Sequence, residues 1–311
     1  MTNYKTQNNE HHFGGPWTLT KLDALRHYLK AFNQALKNQP SSSSKKFKRI
    51  YIDAFAGSGR CDIKINGTTI QEEGSASIAL SIEPAFNDYY LFDIDSNFID
   101  ELHLLKQSHQ DKNIVIRQGD GNKLIPELIR SINWKESRAV MFLDPYALEL
   151  DWQVLELISE TKAVDLWYLF PLSATTRLLA NDINKAHEDQ LTRIFGSSSW
   201  RQKLYKDITQ STLIGDDREE TSSIRIADQA EIIKFTKARL ETCFPNVVDP
   251  LILKSKSVPL FALFFMSSNP ANRAVETSNR IASHILKMYQ YKRLKTQPAS
   301  LMTPSDQGNL F

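Results

Sequence analysis

Apolar residues along the chain fall into two rhythms. From Trp17 to Lys37, Leu22, Leu25, Leu29, Phe32 and Leu36 recur at steps of three and four, which predicts an amphipathic helix. Thr18 or Thr20 is the expected cap of its start. Pro40-Ser41-Ser42-Ser43-Ser44 reads as a flexible link. Beyond it stand short apolar runs without polar alternation: 49–55, 89–93, 113–117, 139–144 and 164–170. Helical patterns follow the first four, beginning near Ser75 (an expected N-cap), Asn97, Leu124 and Trp152. Strands apolar on both faces that alternate with helices predict a parallel sheet covered on both sides.

Three stretches depart from this rhythm. Residues 62–70 alternate about Asn66-Gly67, a hairpin signal. Residues 172–226 are polar and predict a helical insertion. After a helix at 227–242, the runs 247–253 and 259–266 predict an antiparallel strand pair that closes the sheet, and a last helix spans 271–295. The expected organisation is a loose N-terminus (1–16), an N-terminal helix (17–38), a Rossmann-like domain (45–171 and 227–295) interrupted by the insertion (172–226), and a disordered tail (296–311).

Composition narrows the class. The chain has 311 residues, 41% hydrophobic and 24% charged, ordinary for a folded protein and against wholesale disorder. Cys61 and Cys243 are the two cysteines, too few for a disulfide framework or a cysteine-rich zinc site. No apolar run reaches the roughly 18 residues of a membrane span. The polar N-terminus lacks the apolar centre of a signal peptide, so a cytoplasmic location is expected. The net charge of +2 hides an asymmetry: residues 1–170 carry 19 basic and 22 acidic residues, and 171–311 carry 19 and 14. Residues 37–49 hold Lys37, Lys45, Lys46, Lys48 and Arg49 with no acid, a patch that suits phosphates or plain solvation equally well.

The chemistry-bearing residues sit where the predicted strands end, the place at which open parallel sheets bind ligands. The first group is Asp53-Ala54-Phe55-Ala56-Gly57-Ser58-Gly59. No Lys-Ser or Lys-Thr follows the glycines, which argues against a P-loop, and Asp62 stands where a dinucleotide fingerprint needs its third glycine. The remaining form, acid-x-Phe-x-Gly-x-Gly, resembles the first motif of S-adenosyl-L-methionine (AdoMet) methyltransferases. On that reading Asp53 orients the cofactor's ammonium, while Phe55, Ala56, Gly57, Ser58 and Gly59 line its path. Asp93 with Ile94 ends the next strand, where a carboxylate accepts ribose hydroxyls. Asp120 with Gly121 follows the third strand and suits the adenine amino group. Asp95 or Ser96 is also the natural cap of the next helix.

Asp144-Pro145-Tyr146 ends the fourth strand. Enzymes that methylate amino groups of nucleic acids carry [DNS]-P-P-[YFW] there, the acid holding the amino group and the aromatic stacking on a flipped base. One proline is missing here, so the aromatic comes one position early. Asp144, Pro145 and Tyr146 are the expected catalytic residues, with Asp144 also beside the cofactor and Arg177 of the insertion a candidate phosphate contact. Gly59 and Asp93 lie 34 residues apart, against roughly 20 from glycine loop to ribose acid in dinucleotide sites. The hairpin accounts for the excess and is expected to overhang the cofactor as a lid or substrate wall.

In combination these residues resemble the three-Cys-motif partner family over roughly residues 15–290. The resemblance rests on Gly15-Pro16-Trp17-Thr18 with Lys21-Leu22, Tyr51 to Arg60, Gly74-Ser75-Ala76, Gly119-Asp120, Leu143-Asp144-Pro145-Tyr146 with Trp152, and Asp165-Leu166-Trp167 before Phe170-Pro171. It implies a class I, Rossmann-like methyltransferase fold, AdoMet as cofactor, and a three-cysteine, radical-AdoMet-like protein as partner. RNA or DNA is the expected acceptor. Two other classes compete. One is a methyltransferase-fold partner without activity. The other is a metal enzyme on nucleic acid, with Asp93, Asp95, Asp144 and Asp151 around Mg²⁺. A DxD glycosyltransferase reading of Asp93-Ile94-Asp95 leaves the glycines unexplained. No histidine or cysteine spacing suggests a resident metal, and Cys61 reads as a small apolar filler.

Overall fold

The computed structural model describes residues 14–41, 43, 45–65, 67–179, 185–211 and 219–296. Helix α1 (Pro16–Leu36) opens the chain, followed by strand β1 (Lys48–Asp53), the hairpin β2 (Arg60–Ile65) and β3 (Thr68–Glu73), and α2 (Ser75–Ser81). Alternation then sets in: β4 (Asp88–Asp93), α3 (Ser96–Gln107), β5 (Asn113–Gln118), α4 (Gly121–Ser131), β6 (Ser137–Leu143), α5 (Trp152–Glu160) and β7 (Val164–Phe170). Next come α6 (Leu172–Leu178), α7 (Lys185–Phe195), α8 (Trp200–Leu204) and a ribbon of β8 (Tyr205–Ser211) and β9 (Glu219–Arg225). The chain returns through α9 (Gln229–Leu240), β10 (Asn246–Val247), β11 (Leu251–Ser255), β12 (Val258–Ser267) and α10 (Asn272–Thr296).

The central sheet has the order β10-β12-β7-β6-β1-β4-β5, with β11 also paired to β12. Strands β5, β4, β1, β6 and β7 are mutually parallel, and β12 runs antiparallel beside β7. The parallel run is the 3-2-1-4-5 order of a doubly wound sheet. An antiparallel strand takes the sixth place, with β11 and β12 as the expected closing pair. Successive residues of β1 face opposite layers. Ile50 and Ile52 join a core built with α4, α5 and α9, and Tyr51 joins one built with α1, α2 and α10.

Local chemistry moves several expected boundaries. Helix α1 starts at Pro16, whose missing N–H costs nothing in the first turn, and Gly15 is its N-cap. Thr18 lies inside the helix and is buried, so neither threonine caps it. Ser75 is the first helical residue after the N-cap Gly74, and its side chain serves Asp53 instead. Gly14 hydrogen-bonds to β2, so the chain is already docked two residues before α1. Residues 1–13 and 297–311, which hold most of the expected loose N-terminus and tail, lie outside the described residues.

Among its described residues, the stretch expected to be a helical insertion contains three helices and also the β8–β9 ribbon. It is no detached module. Leu172, Leu191, Ile194, Phe195 and Trp200 enter the same core as α4 and α5. The seam is tight where α7 ends. Gly196 takes φ +61°, and a Cβ built on it would lie 2.0 Å from the Trp152 ring, which also carries the Arg239 guanidinium at 4.8 Å. Gly196→Ala therefore combines left-handed strain with overpacking, and a loss of roughly 2–4 kcal/mol in urea unfolding is expected. A wild-type midpoint in that variant would show that α7 is free to shift.

Candidate functional site

Every parallel strand delivers its C-terminal end to the same edge of the sheet, and the strand order reverses between β1 and β6. A cleft of about 570 Å³ opens there, within the size range of ligand sites. Phe55, Gly57, Asp93, Ile94, Asp120 and Gly121 line it, together with Asp144 and Tyr146. Eight of the expected site residues are thus brought together.

The carboxylate of Asp93 joins two loops. One oxygen accepts the Gly57 N–H at 2.8 Å and the other accepts the Asp95 N–H at 3.0 Å. Gly57 holds φ +57°, and a Cβ built on it meets nothing within 4 Å. Bare backbone therefore faces open cleft. Asp95 caps α3 through the Asn97 N–H at 2.8 Å, as the sequence suggested. Asp120 caps α4 through the Asn122 N–H at 2.9 Å with one oxygen.

Five expected residues do not line the cleft. Asp53 is fully buried behind the glycine loop. Its carboxylate accepts the Tyr51 hydroxyl at 2.9 Å, the Phe55 N–H at 3.3 Å and the Ser75 hydroxyl. Burial outweighs these bonds and raises its pKa to about 7, with Asp144 adding to the rise. Through the Phe55 N–H it holds the start of the glycine loop from behind. Ala56 and Pro145 are buried, the Ser58 hydroxyl donates to the Arg60 carbonyl, and the Gly59 carbonyl accepts from Gly74 N–H and the Ser77 hydroxyl.

That Gly59–Gly74 contact explains the hairpin. The chain leaves at Gly59, makes the antiparallel excursion of β2 and β3, and returns at Gly74 to start α2 beside the glycine loop. Gly67 takes φ +85° at the tip, while Asn66 lies outside the described residues. The hairpin was expected to overhang the cofactor. Among the described residues none of it lines the cleft, and it packs against α1 and α2 instead.

The loop after β6 holds the largest departures. Asp144 is ion-paired with Lys21 of α1, and both side chains are largely shielded. Tyr146 is 64% exposed, so its ring stands at the cleft mouth. Ala147 takes φ +57°, a costly conformation held from two sides. Asn122 donates to the Glu149 carbonyl at 2.7 Å and accepts the Asp151 N–H at 2.9 Å. Arg193 of α7 pairs with Asp151 and donates to the Leu148 carbonyl at 3.2 Å. Arg177 donates to the Ser173 hydroxyl at 2.8 Å and does not line the cleft, and among the described residues of the 172–226 stretch Arg193 is the cation that does.

Sequence reasoning missed Phe98, Glu149 and Arg193. Phe98 was findable, four residues beyond Ile94 on the helix that follows it. Nothing in the sequence places Glu149 or Arg193 beside a cleft whose other wall is built by distant strands. Burial pushes the Glu149 pKa up, and the Asp120 and Asp93 charges add to the rise, a sign of crowded negative charge. The acids named for the metal-enzyme alternative are largely engaged elsewhere. Among the described residues no three His, Cys, Asp or Glu could hold an ion, and Asp95, Asp144 and Asp151 have other partners. Burial also raises the Cys61 thiol, which leaves it no activated nucleophile.

No protein-family model matches the chain, and no curated protein does. Several solved structures are similar in part. Protein LPL1258 from Legionella pneumophila is 14% identical at a TM-score of 0.41, over 85% of this chain and 92% of that one. An S-adenosylmethionine-dependent methyltransferase from Clostridium acetobutylicum is 12% identical at 0.34, over 79% and 91%. The putative methyltransferase yhhF from Escherichia coli is 10% identical at 0.31, over 65% and 84%. These likenesses are too distant to assign an activity. No helix among the described residues is long and apolar enough to cross a membrane.

Asp53 makes a pH prediction. In the folded chain it keeps its proton up to about pH 7, against 3.8 for an unperturbed carboxyl, so folding takes up a proton between those values. Its stabilising share is complete below the lower value and is lost as pH rises through the upper one. Asp53→Asn should therefore gain on wild type, on the order of 4 kcal/mol, between pH 4 and pH 8. Urea unfolding at both pH values measures the difference, and a pH-independent gap would sink the assignment.

Proposed function

We propose that the chain is an AdoMet-dependent methyltransferase that binds its cofactor in the cleft between β1, β4, β5 and β6. The observation that carries this reading is the charge of the cleft. Among the described residues, Asp93, Asp95, Asp120 and Glu149 line it without a cation paired to them, while Asp144 is balanced by Lys21 and Arg193 by Asp151. Triphosphates and dinucleotides are polyanions, and such a wall repels them. AdoMet carries a sulfonium and an ammonium against one carboxylate, so its net charge is attracted.

The groups present fit that ligand. Asp93 keeps lone pairs for a ribose diol beyond the two N–H bonds it accepts. Asp120 has one oxygen beyond its cap for an adenine amino group. Gly57 leaves room for a ligand against its backbone. Ile94 and Phe98 expose apolar faces at the same rim.

The cofactor supplies a methyl group on a good leaving group. The chain's part is to align an acceptor, exclude water and take a proton. Asp144 faces the cleft and is suited to hold an acceptor N–H, with Tyr146 at the mouth to stack on a planar group. RNA or DNA as acceptor rests on this Asp-Pro-Tyr arrangement. The three-cysteine, radical-AdoMet-like partner rests on the family resemblance alone.

One observation favours a second reading. Lys21 already occupies an oxygen of Asp144, as a chain that binds AdoMet or a partner without turnover would allow. Calorimetry with AdoMet tests the cofactor, and Gly57→Arg fills the open space. Wild type should bind, and the variant should bind more than about tenfold weaker, a difference of ~1.4 kcal/mol. No wild-type binding at millimolar AdoMet would overturn the cofactor. Asp144→Ala then separates the two readings. An active enzyme keeps AdoMet affinity within about threefold, under ~1 kcal/mol, and loses transfer to RNA or DNA. Transfer at the wild-type rate in that variant would remove Asp144 from the mechanism.

A further inference from the structure

The cations that the cleft lacks are gathered at the other edge of the sheet. The N-terminal ends of β5, β4, β1, β6 and β7 share that edge because these strands are parallel. Lys112 precedes β5, Lys48 opens β1, Arg138 is the second residue of β6, and Lys162 lies two residues before β7. The segment between α1 and β1 adds Lys37, Lys45 and Lys46, all exposed.

This segment is built into the edge. Pro40 and Lys46 form an antiparallel bridge, and Phe47 N–H donates to the Gln39 carbonyl at 3.2 Å. The Arg138 guanidinium lies 4.0 Å above the Phe47 ring. The acids in the middle of the edge are engaged. Asp88 is buried and paired with Lys48, and Glu136 accepts the hydroxyls of Ser41 and Ser43. Exposed Glu83 and Asp111 sit at the β5 flank beside Lys112, and Glu160 lies near Lys162 at the β7 flank. Among the described residues, no carboxylate forms an ion pair with Lys37, Lys45 or Lys46.

We propose that this edge is a binding surface for the phosphodiester backbone of a nucleic acid, with Lys37, Lys45 and Lys46 at its centre. The match is one of shape and charge. Five strands at about 4.8 Å spacing make an edge roughly 20 Å long. A nucleic acid strand presents one phosphate per about 3.4 Å of duplex axis, so five or six phosphates can lie along it. An anchored loop with a stacked guanidinium offers fixed positive charge in place of an apolar groove, which suits a linear polyanion. The surface lies a full strand length from the cleft, about 20 Å for the six residues of β1. A nucleic acid that also fed a nucleotide into the cleft must span that distance. The surface stands independently of the methyltransferase reading, because it involves no residue of the cleft.

The test is fluorescence anisotropy with a labelled single-stranded RNA and a labelled duplex DNA across a series of KCl concentrations. Binding should weaken steeply with salt. The triple variant Lys37→Ala, Lys45→Ala, Lys46→Ala should lower the magnitude of the log–log salt slope by about 0.7 per lost contact on RNA and about 0.9 on duplex DNA. Its melting temperature and AdoMet calorimetry should match wild type, which separates failure here from failure of the cofactor reading. Preference for either probe identifies which backbone is taken, and both outcomes support the surface. An unchanged slope in the triple variant overturns it. So does an equal loss in the control Lys254→Ala, Lys256→Ala, at the end of β11 and in the turn that follows it. Competition by polyglutamate as strong as by RNA overturns it too, in favour of an acidic protein surface.

Discussion

Strand polarity is the constraint on which the rest of this molecule depends. Five parallel strands force their C-terminal ends, with the loops that follow them, onto one edge and their N-terminal ends onto the other. Side chains a few residues apart in sequence are thereby sent to opposite ends of the protein. Lys48 and Asp53 open and close the same strand, one at a basic edge and one behind an acidic cleft. The near-zero net charge conceals this separation, since a sum over the chain averages two edges of opposite sign. One sheet thus presents two edges of different charge, acids at the cleft and lysines at the opposite end.

Within the cleft, one carboxylate does the joining. Asp93 accepts backbone N–H groups from the glycine loop and from its own following turn, so the ends of β1 and β4 are held in a fixed relation. Gly119 N–H adds the β5 loop by donating to the Asp93 carbonyl at 2.9 Å. Three loops from three strands thus converge on one residue. A ligand reaching Asp93 meets donors and acceptors already in place, and little further ordering is needed to bind it.

Much of this was legible in the sequence because the periodicity of burial is local. Unpatterned apolar strands followed by helices announced a doubly wound sheet, and Asn66-Gly67 marked a hairpin whose flanking strands do pair. Strand-end acids and glycines marked the cleft. Legibility stopped where a position depends on a partner far along the chain. Asp53 looked like a ligand-facing acid, yet the alternation of β1 turns it to the same side as Tyr51, into the core. Asp144 looked like a free acceptor acid, yet Lys21, 123 residues earlier, reaches it across the top of the sheet. Arg177 and Arg193 look alike in sequence, and only the packing of α7 on α5 decides which one faces the cleft.

The same packing assigns a purpose to the chain between β7 and α9. A loop that carries Ala147 at positive φ does not hold that shape unaided. Asn122 grips it from α4 and Arg193 from α7, so residues from before and after β6 and β7 converge on eight residues of loop. Arg193 in turn depends on the seam where Gly196 admits the Trp152 ring and Arg239 ties down the Phe195 carbonyl at 2.9 Å. That seam ends the helix whose Arg193 holds the Leu148 carbonyl and Asp151 of the cleft-mouth loop. Helix α7 is therefore an outer support of the loop that carries Tyr146 and Glu149, and it reaches that loop through the side chain of Arg193.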